Sequence, residues 1–139
     1  MLMMQETSTD VMCYYDGGLG YSAYRALINS DNGYPYRNYY AFMMFNTLYK
    51  LGNSAVAESS DSHVFVGAAV NGRKAALVIA NVNGEDVKVD LDLCGFSATD
   101  VQFCRIDDGN RYTVTGEELS NELTIPAHGC VEIKLWDLK

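Results

Sequence analysis

The side chains able to do acid–base, nucleophilic or metal chemistry are few and scattered. Cys13, Cys94, Cys104 and Cys130 stand far apart with no Cys-x-x-Cys pair, and His63 and His128 are isolated. Zinc takes ligands at short, regular spacings, and the nearest approach to one is His128, two residues before Cys130. No metal and no cofactor is therefore expected. The cysteines read as reduced, mostly buried thiols; a disulfide between Cys94 or Cys104 and Cys130 is the alternative for a secreted protein. Both histidines read as ordinary loop or strand-end residues. Asp90, Asp92, Asp107 and Asp108 fall on wet strand faces or in turns, where carboxylates serve solubility and edge protection. A calcium site built from several of them is the alternative, because calcium takes clustered oxygen ligands.

Composition narrows the function classes further. The chain has 139 residues, 48% of them apolar, enough for one compact domain or a small domain with an appendage. Its net charge of -8 argues against nucleic acid and against an anionic membrane surface, both of which call for clustered Lys and Arg. No apolar run approaches the roughly 20 residues of a membrane span. No charged-then-apolar signal segment opens the chain, so a cytoplasmic location is expected. The totals conceal an asymmetry. Nine of the ten Tyr and all six Met lie in residues 1–57, which carry 3 basic and 4 acidic residues. Residues 58–139 carry 7 basic and 14 acidic residues, so the acidity belongs to the second segment.

That second segment reads as strands separated by turns. Residues 62–70 form a short apolar strand, Asn71-Gly72 signals a hairpin, and residues 74–81 return. Asn83-Gly84 marks a second turn. Val87, Val89, Leu91 and Leu93 then alternate with Lys88, Asp90 and Asp92, the period of a strand with one buried face. Strands follow over 100–106, 112–115, 123–125 (stopped by Pro126) and 131–135. Seven or eight short strands in about 80 residues predict an antiparallel β-sandwich.

The first segment reads differently. Residues 38–51 predict a helix, with Asn38 as N-cap, Lys50 in the last turn and Gly52 just beyond the end. Its sides are apolar nearly all round, so more than one face is expected to be covered. Residues 10–16 read as a buried strand ending in Tyr14, Tyr15 and Asp16. A loop of about 20 residues follows, rich in Tyr and opened by Gly17-Gly18. Residues 1–7 are compatible with the last turns of a helix. The order is partial helix, strand, long loop, helix: an α/β remnant ahead of a mainly β domain.

The stretches QETSTDVMCYYDGG and YPYRNYYAFMMFNTLYKLGN resemble the end of the catalytic barrel in retaining glycoside hydrolases of clan A, which have a (β/α)8 barrel followed by a C-terminal β-sandwich. The nearest likeness is to the β-xylosidase and α-L-arabinofuranosidase type, families 39 and 51, which carry a YYD at the end of the eighth strand and a similar final helix. The resemblance implies a barrel remnant over residues 1–53 (end of helix seven, strand eight, helix eight) and a sandwich over 54–139. It also implies that Tyr14, Tyr15 and Asp16 line what remains of a sugar subsite. Retaining hydrolysis needs two carboxylates about 5 Å apart. In that clan they sit on strands four and seven, neither of which is in this sequence, so no catalytic residue is expected and the chain is not expected to be an enzyme.

Three functional readings stand. The first is the structural, non-catalytic C-terminal portion of a glycoside hydrolase. The second is a carbohydrate-binding module using the tyrosines of residues 14–40. The third is an interaction module that uses the apolar helix 39–51 to form a homodimer or to dock on a partner barrel fragment.

Overall fold

The computed structural model describes residues 1–3, 7–14, 26–107 and 112–139. These residues form one α-helix and eight strands in antiparallel sheets. The helix is α1 (Arg37–Leu51). The strands are β1 (Asn53–Ala55), β2 (Val64–Asn71), β3 (Lys74–Asn81), β4 (Val87–Asp90), β5 (Asp100–Ile106), β6 (Thr113–Gly116), β7 (Glu122–Ile125) and β8 (Cys130–Trp136). The large sheet runs β1-β2-β3-β8-β5-β6, and β4 pairs with β7 in a second, two-stranded sheet. No helix among the described residues is long and apolar enough to cross a membrane.

Two cores follow from the two faces of the large sheet. Alternate residues of β8, namely Val131, Ile133 and Leu135, point inward. They meet Leu123 and Ile125 of the small sheet, with Phe103 and Ile79 beside them. The opposite face carries Val78, Cys104 and Ile106, and α1 lies over it through Met44, Tyr40, Ala41 and Leu48. The central strand β3 is covered on both sides, which explains why Ala75–Ala80 is an apolar run without alternation. The structure is thus the predicted antiparallel sandwich, with a helix laid on its outer face.

Local chemistry set several boundaries. In the β2–β3 hairpin Asn71 pairs with Lys74, so Gly72 takes the first of two loop positions at φ 58, a conformation that favours glycine. The period-two pattern of residues 87–93 outruns its strand. β4 ends at Asp90, and Asp92 Oδ1 instead accepts a hydrogen bond from Cys94 N–H at 2.8 Å, turning the chain. Leu91 and Leu93 still pack on the inner core.

The first segment departs from its sequence pattern at three places. The helix begins one residue early, after Tyr36, whose side chain caps nothing. Asn38 is not the N-cap: its Nδ2 donates to Tyr14 Oη at 2.6 Å. Residues 10–14 are neither strand nor buried. Among the described residues no strand pairs with them, so their backbone has no ladder to join, and Val11 and Met12 stay exposed. Finally, α1 buries one face rather than several. Met44 is its one fully buried side chain, whereas Tyr49 is 79% exposed. At the helix end Gly52, at φ 89, lets its N–H reach Leu48 O, as its position predicted.

Candidate functional site

A groove of about 840 Å³ opens where the start of α1 crosses the end of the large sheet. One wall is the first turns of α1, from Arg37 and Asn38 to Phe45. The other is formed by Phe65 of β2 and by Asn81 and Val82 at the end of β3. Val78, Ile106 and Cys130 form the floor, and Met1, Leu2 and Met3 close one end. Tyr14 and Tyr36 stand on the rim with His128. The lining is apolar below and polar above, the usual distribution in a ligand site.

Each wall is held by identifiable contacts. Tyr14 packs edge-on against Phe42 with ring centroids 5.1 Å apart, and its hydroxyl accepts from Asn38. The N-terminal residues are fixed at Gly67 of β2, where a Cβ would come within 2.8 Å of Leu2 Cδ2 and 3.3 Å of Leu48 Cδ1. Only a residue without a side chain lets Leu2 and Leu48 settle so close to the sheet. Arg37 Nη1 donates to Asp107 O at 2.9 Å, tying the helix start to the end of β5.

The sheet wall depends on Asn81, which is buried. Its Nδ2 donates to Glu85 O, Ile125 O and Pro126 O at 2.8, 3.2 and 3.1 Å, and its Oδ1 accepts from Asn83 N–H at 2.9 Å. One amide therefore holds the turn after β3 against the turn before β8. Gly129 completes the corner: a Cβ there would lie 2.8 Å from Pro126 O and 2.9 Å from Ile106 O, both backbone atoms that cannot give way cheaply. His128 takes φ 49 to make this approach.

Beside the groove, under α1, lies a polar cluster on the helix side of the sheet. Glu132 is 1% exposed, its Oε2 is 3.4 Å from Lys134 Nζ, and its Oε1 has no hydrogen-bond partner among the described residues. Tyr112 stacks on Tyr40 with centroids 4.8 Å apart. Burial pushes the Tyr112 hydroxyl well above its ordinary range, and its hydrogen bond with Cys104 adds to the shift. Burial likewise raises Cys104, and pushes the Cys130 thiol up to about 12, with the Glu132 charge adding to it. Thiols held neutral in this way are poor nucleophiles, so these cysteines are packing residues.

That environment makes stability depend on alkaline pH. Folded Cys130 keeps its proton up to about pH 12, whereas in the unfolded chain a thiol ionises near its ordinary value of 9.0. The stabilisation is complete below pH 9 and is lost as pH rises from there toward 12. Urea unfolding at pH 7 and pH 11 is expected to show a fall on the order of 2–3 kcal/mol from this residue. Cys130→Ala is expected to flatten the slope over that interval by a similar amount.

Of the residues singled out by sequence, Tyr14 lies on the groove rim, while Tyr15 and Asp16 lie outside the described residues. Cys13 and Cys94 are exposed and Cys104 is buried. All four cysteines are free thiols. His63 sits in a surface turn 3.7 Å from Asp61. Among the described residues no group of three or more His, Cys, Asp or Glu could hold a metal ion; Asp108, one of the four aspartates considered for calcium, lies outside them. Sequence reasoning included Tyr36 in the tyrosine-rich stretch 14–40 but missed Asn81 and His128 as groove residues. An asparagine closing an apolar strand just before Asn83-Gly84 was the available signal for Asn81.

No protein-family model matches the sequence, and no curated protein matches it either. Solved structures do match its fold. A glycoside hydrolase family 30 endoxylanase from Clostridium papyrosolvens superposes with a TM-score of 0.67 at 17% identity, covering 78% of this chain and 30% of that one. A family 30 subfamily 8 xylanase from Clostridium acetobutylicum gives 0.65 at 18%, covering 79% and 30%. A family 86 β-porphyranase from Bacteroides plebeius gives 0.52 at 16%, covering 61% and 16%. The chain thus spans less than a third of the length of these enzymes, and its fold is that of a region of glycoside hydrolases.

Proposed function

We propose that this chain is the non-catalytic β-sandwich portion of a glycoside hydrolase, an accessory element that supports a catalytic barrel. The observation that carries this reading is the fold match, in which a helix and sandwich account for most of this chain but under a third of two xylanases. The groove is consistent with it: among the described residues no Asp or Glu lines it, whereas retaining hydrolysis calls for two carboxylates about 5 Å apart. On this reading residues 1–53 are the end of the barrel and 54–139 the sandwich. The barrel would cover the outer side of α1. Nine of the twelve large apolar side chains exposed among the described residues lie between Met3 and Val56, which favours a partner on that side.

The finer assignment, to the β-xylosidase and α-L-arabinofuranosidase type of families 39 and 51, rests on the YYD of residues 14–16 and on the sequence of α1. It would make Tyr14, Tyr15 and Asp16 the remnant of a sugar subsite. The purified chain is expected to release no nitrophenol from aryl β-xylosides or aryl α-L-arabinofuranosides. Turnover that scales with protein and survives repurification would overturn the reading.

A further inference from the structure

We infer that Asn83 is a site of spontaneous modification, where the side-chain amide converts through a cyclic imide to isoaspartate and aspartate and so loosens the corner at the end of the groove. The chain carries three Asn-Gly pairs, at Asn32, Asn71 and Asn83. In each, the following residue has no Cβ to hinder ring closure onto the asparagine side chain. Space around the glycines does not rank them. A Cβ on Gly33 or Gly72 would meet nothing within 4 Å, and one on Gly84 would meet only His128 Nε2, at 4.0 Å. Exposure alone would place Asn83 last, because Asn32 and Asn71 are exposed and Asn83 is half-buried. Hydrogen bonding reverses that order.

Ring closure joins the backbone nitrogen of the glycine to the side-chain carbon of the asparagine, so both groups must be free to approach. At Asn32 neither is. It lies near the tip of a hairpin closed by an Ile28–Pro35 bridge, where Gly33 N–H donates to Asn29 O and Asn32 Oδ1 accepts from Tyr34 N–H, each at 2.9 Å. At Asn71 the side-chain Nδ2 donates to Leu51 O at 3.0 Å, and the backbone is fixed by pairing with Lys74. At Asn83 the backbone is held but the reacting groups are not. Its N–H donates to Asn81 Oδ1 at 2.9 Å and its carbonyl accepts from His128 N–H at 3.1 Å. The Asn83 side chain and the Gly84 N–H make no hydrogen bond among the described residues. The bond to Asn83 O also draws electron density from the 83–84 peptide through amide resonance, which eases loss of the Gly84 proton. Gly84 is exposed, so water reaches this peptide.

The chemistry needs only water and does not depend on the proposed accessory role. Gly84 N gives up its proton to solvent and forms a C–N bond to Asn83 Cγ, and the side-chain nitrogen leaves as ammonia. One water then opens the imide. Attack at Cγ gives aspartate; attack at the Asn83 backbone carbonyl gives isoaspartate, in which the main chain runs through Cγ. Either product adds one negative charge to a chain of net charge -8. In isoaspartate the main chain is one carbon longer, and the oxygen that accepted from His128 N–H belongs to a free carboxylate. The turn after β3, which Asn81 ties to Ile125 O and Pro126 O, then loses its fit against the turn before β8.

The test is peptide mapping by mass spectrometry of the full folded chain, aged in warm, mildly alkaline buffer made with heavy-oxygen water, beside the same chain in guanidinium chloride. Heavy oxygen marks each converted residue. In denaturant the three asparagines are expected to convert within about threefold of one another; in the folded chain Asn83 is expected to lead Asn32 and Asn71 by about tenfold or more. Isoaspartate is expected beside aspartate in place of Asn83. The converted chain, separated by anion exchange, is expected to unfold at lower urea than the unconverted one. Gly84→Ala is expected to slow the folded-state reaction by about tenfold or more. Circular dichroism confirms that this variant folds, and Asn83→Gln, whose longer side chain closes the ring poorly, serves as a second variant should it fail to. Folded-state conversion led by Asn32 or Asn71 overturns the inference. So does a lead for Asn83 that persists in denaturant, aspartate formed without isoaspartate, or an unchanged urea midpoint.

Discussion

Asn81→Leu is expected to lower unfolding free energy by about 4 kcal/mol, a fall in Tm of roughly 12 °C. The native amide is buried and satisfies three carbonyls and one backbone N–H. Leucine keeps the γ-branched outline but is larger and offers no hydrogen bond. Glu85 O, Ile125 O, Pro126 O and Asn83 N–H would each lose a partner, Ile125 O in a buried position and the others in part-buried ones. Each such loss costs about 1–3 kcal/mol, with carbonyls at the lower end. Asn81→Asp is expected to do no better, because it aims a carboxylate at carbonyl oxygens. Urea unfolding of the two variants checks this, and a loss below about 1 kcal/mol for both would show that the two turns are held by something else.

Met44→Ala is expected to cost about 3 kcal/mol, the usual range for removing a large apolar side chain from a core. Met44 is completely buried among Val78, Cys104 and Ile106, and is the deepest point of contact between α1 and the sheet. The inner core, built on Val131, Ile133 and Leu135, lies on the opposite face and does not touch it. The loss should therefore be local. Hydrogen exchange is expected to quicken in α1 well before it does in β3 or β8. Equal acceleration in all three would mean that helix and sandwich unfold as one unit.

Much of the sandwich was legible because its signals are local. Val87 and Val89 alternate with Lys88 and Asp90, Pro126 stops β7, and glycines mark the β2–β3 turn and the end of α1. What was not legible depends on partners distant in sequence. β1, the triad Asn53–Ala55, has no apolar pattern and is a strand because β2 lies alongside it. Residues 10–14 have a strand-like composition but no strand to pair with among the described residues. Asn38 has every local qualification of an N-cap, yet a hydroxyl from residue 14 claims its side chain. The groove is less legible still. Its rim joins residues 14, 36, 38, 81 and 128, which no spacing rule connects and which only the packing of α1 on the sheet brings together.

On the proposed reading this chain supports glycan chemistry without performing it. Retaining glycosidases pass through a covalent bond between sugar and a nucleophilic carboxylate. Activated 2-deoxy-2-fluoro xylosides and arabinofuranosides trap that bond, so intact-mass spectrometry of the chain after incubation asks the question directly. The predicted result is an unchanged mass at every concentration and pH tried. A stoichiometric glycosyl adduct on one Asp or Glu, abolished by replacing that residue, would contradict the account.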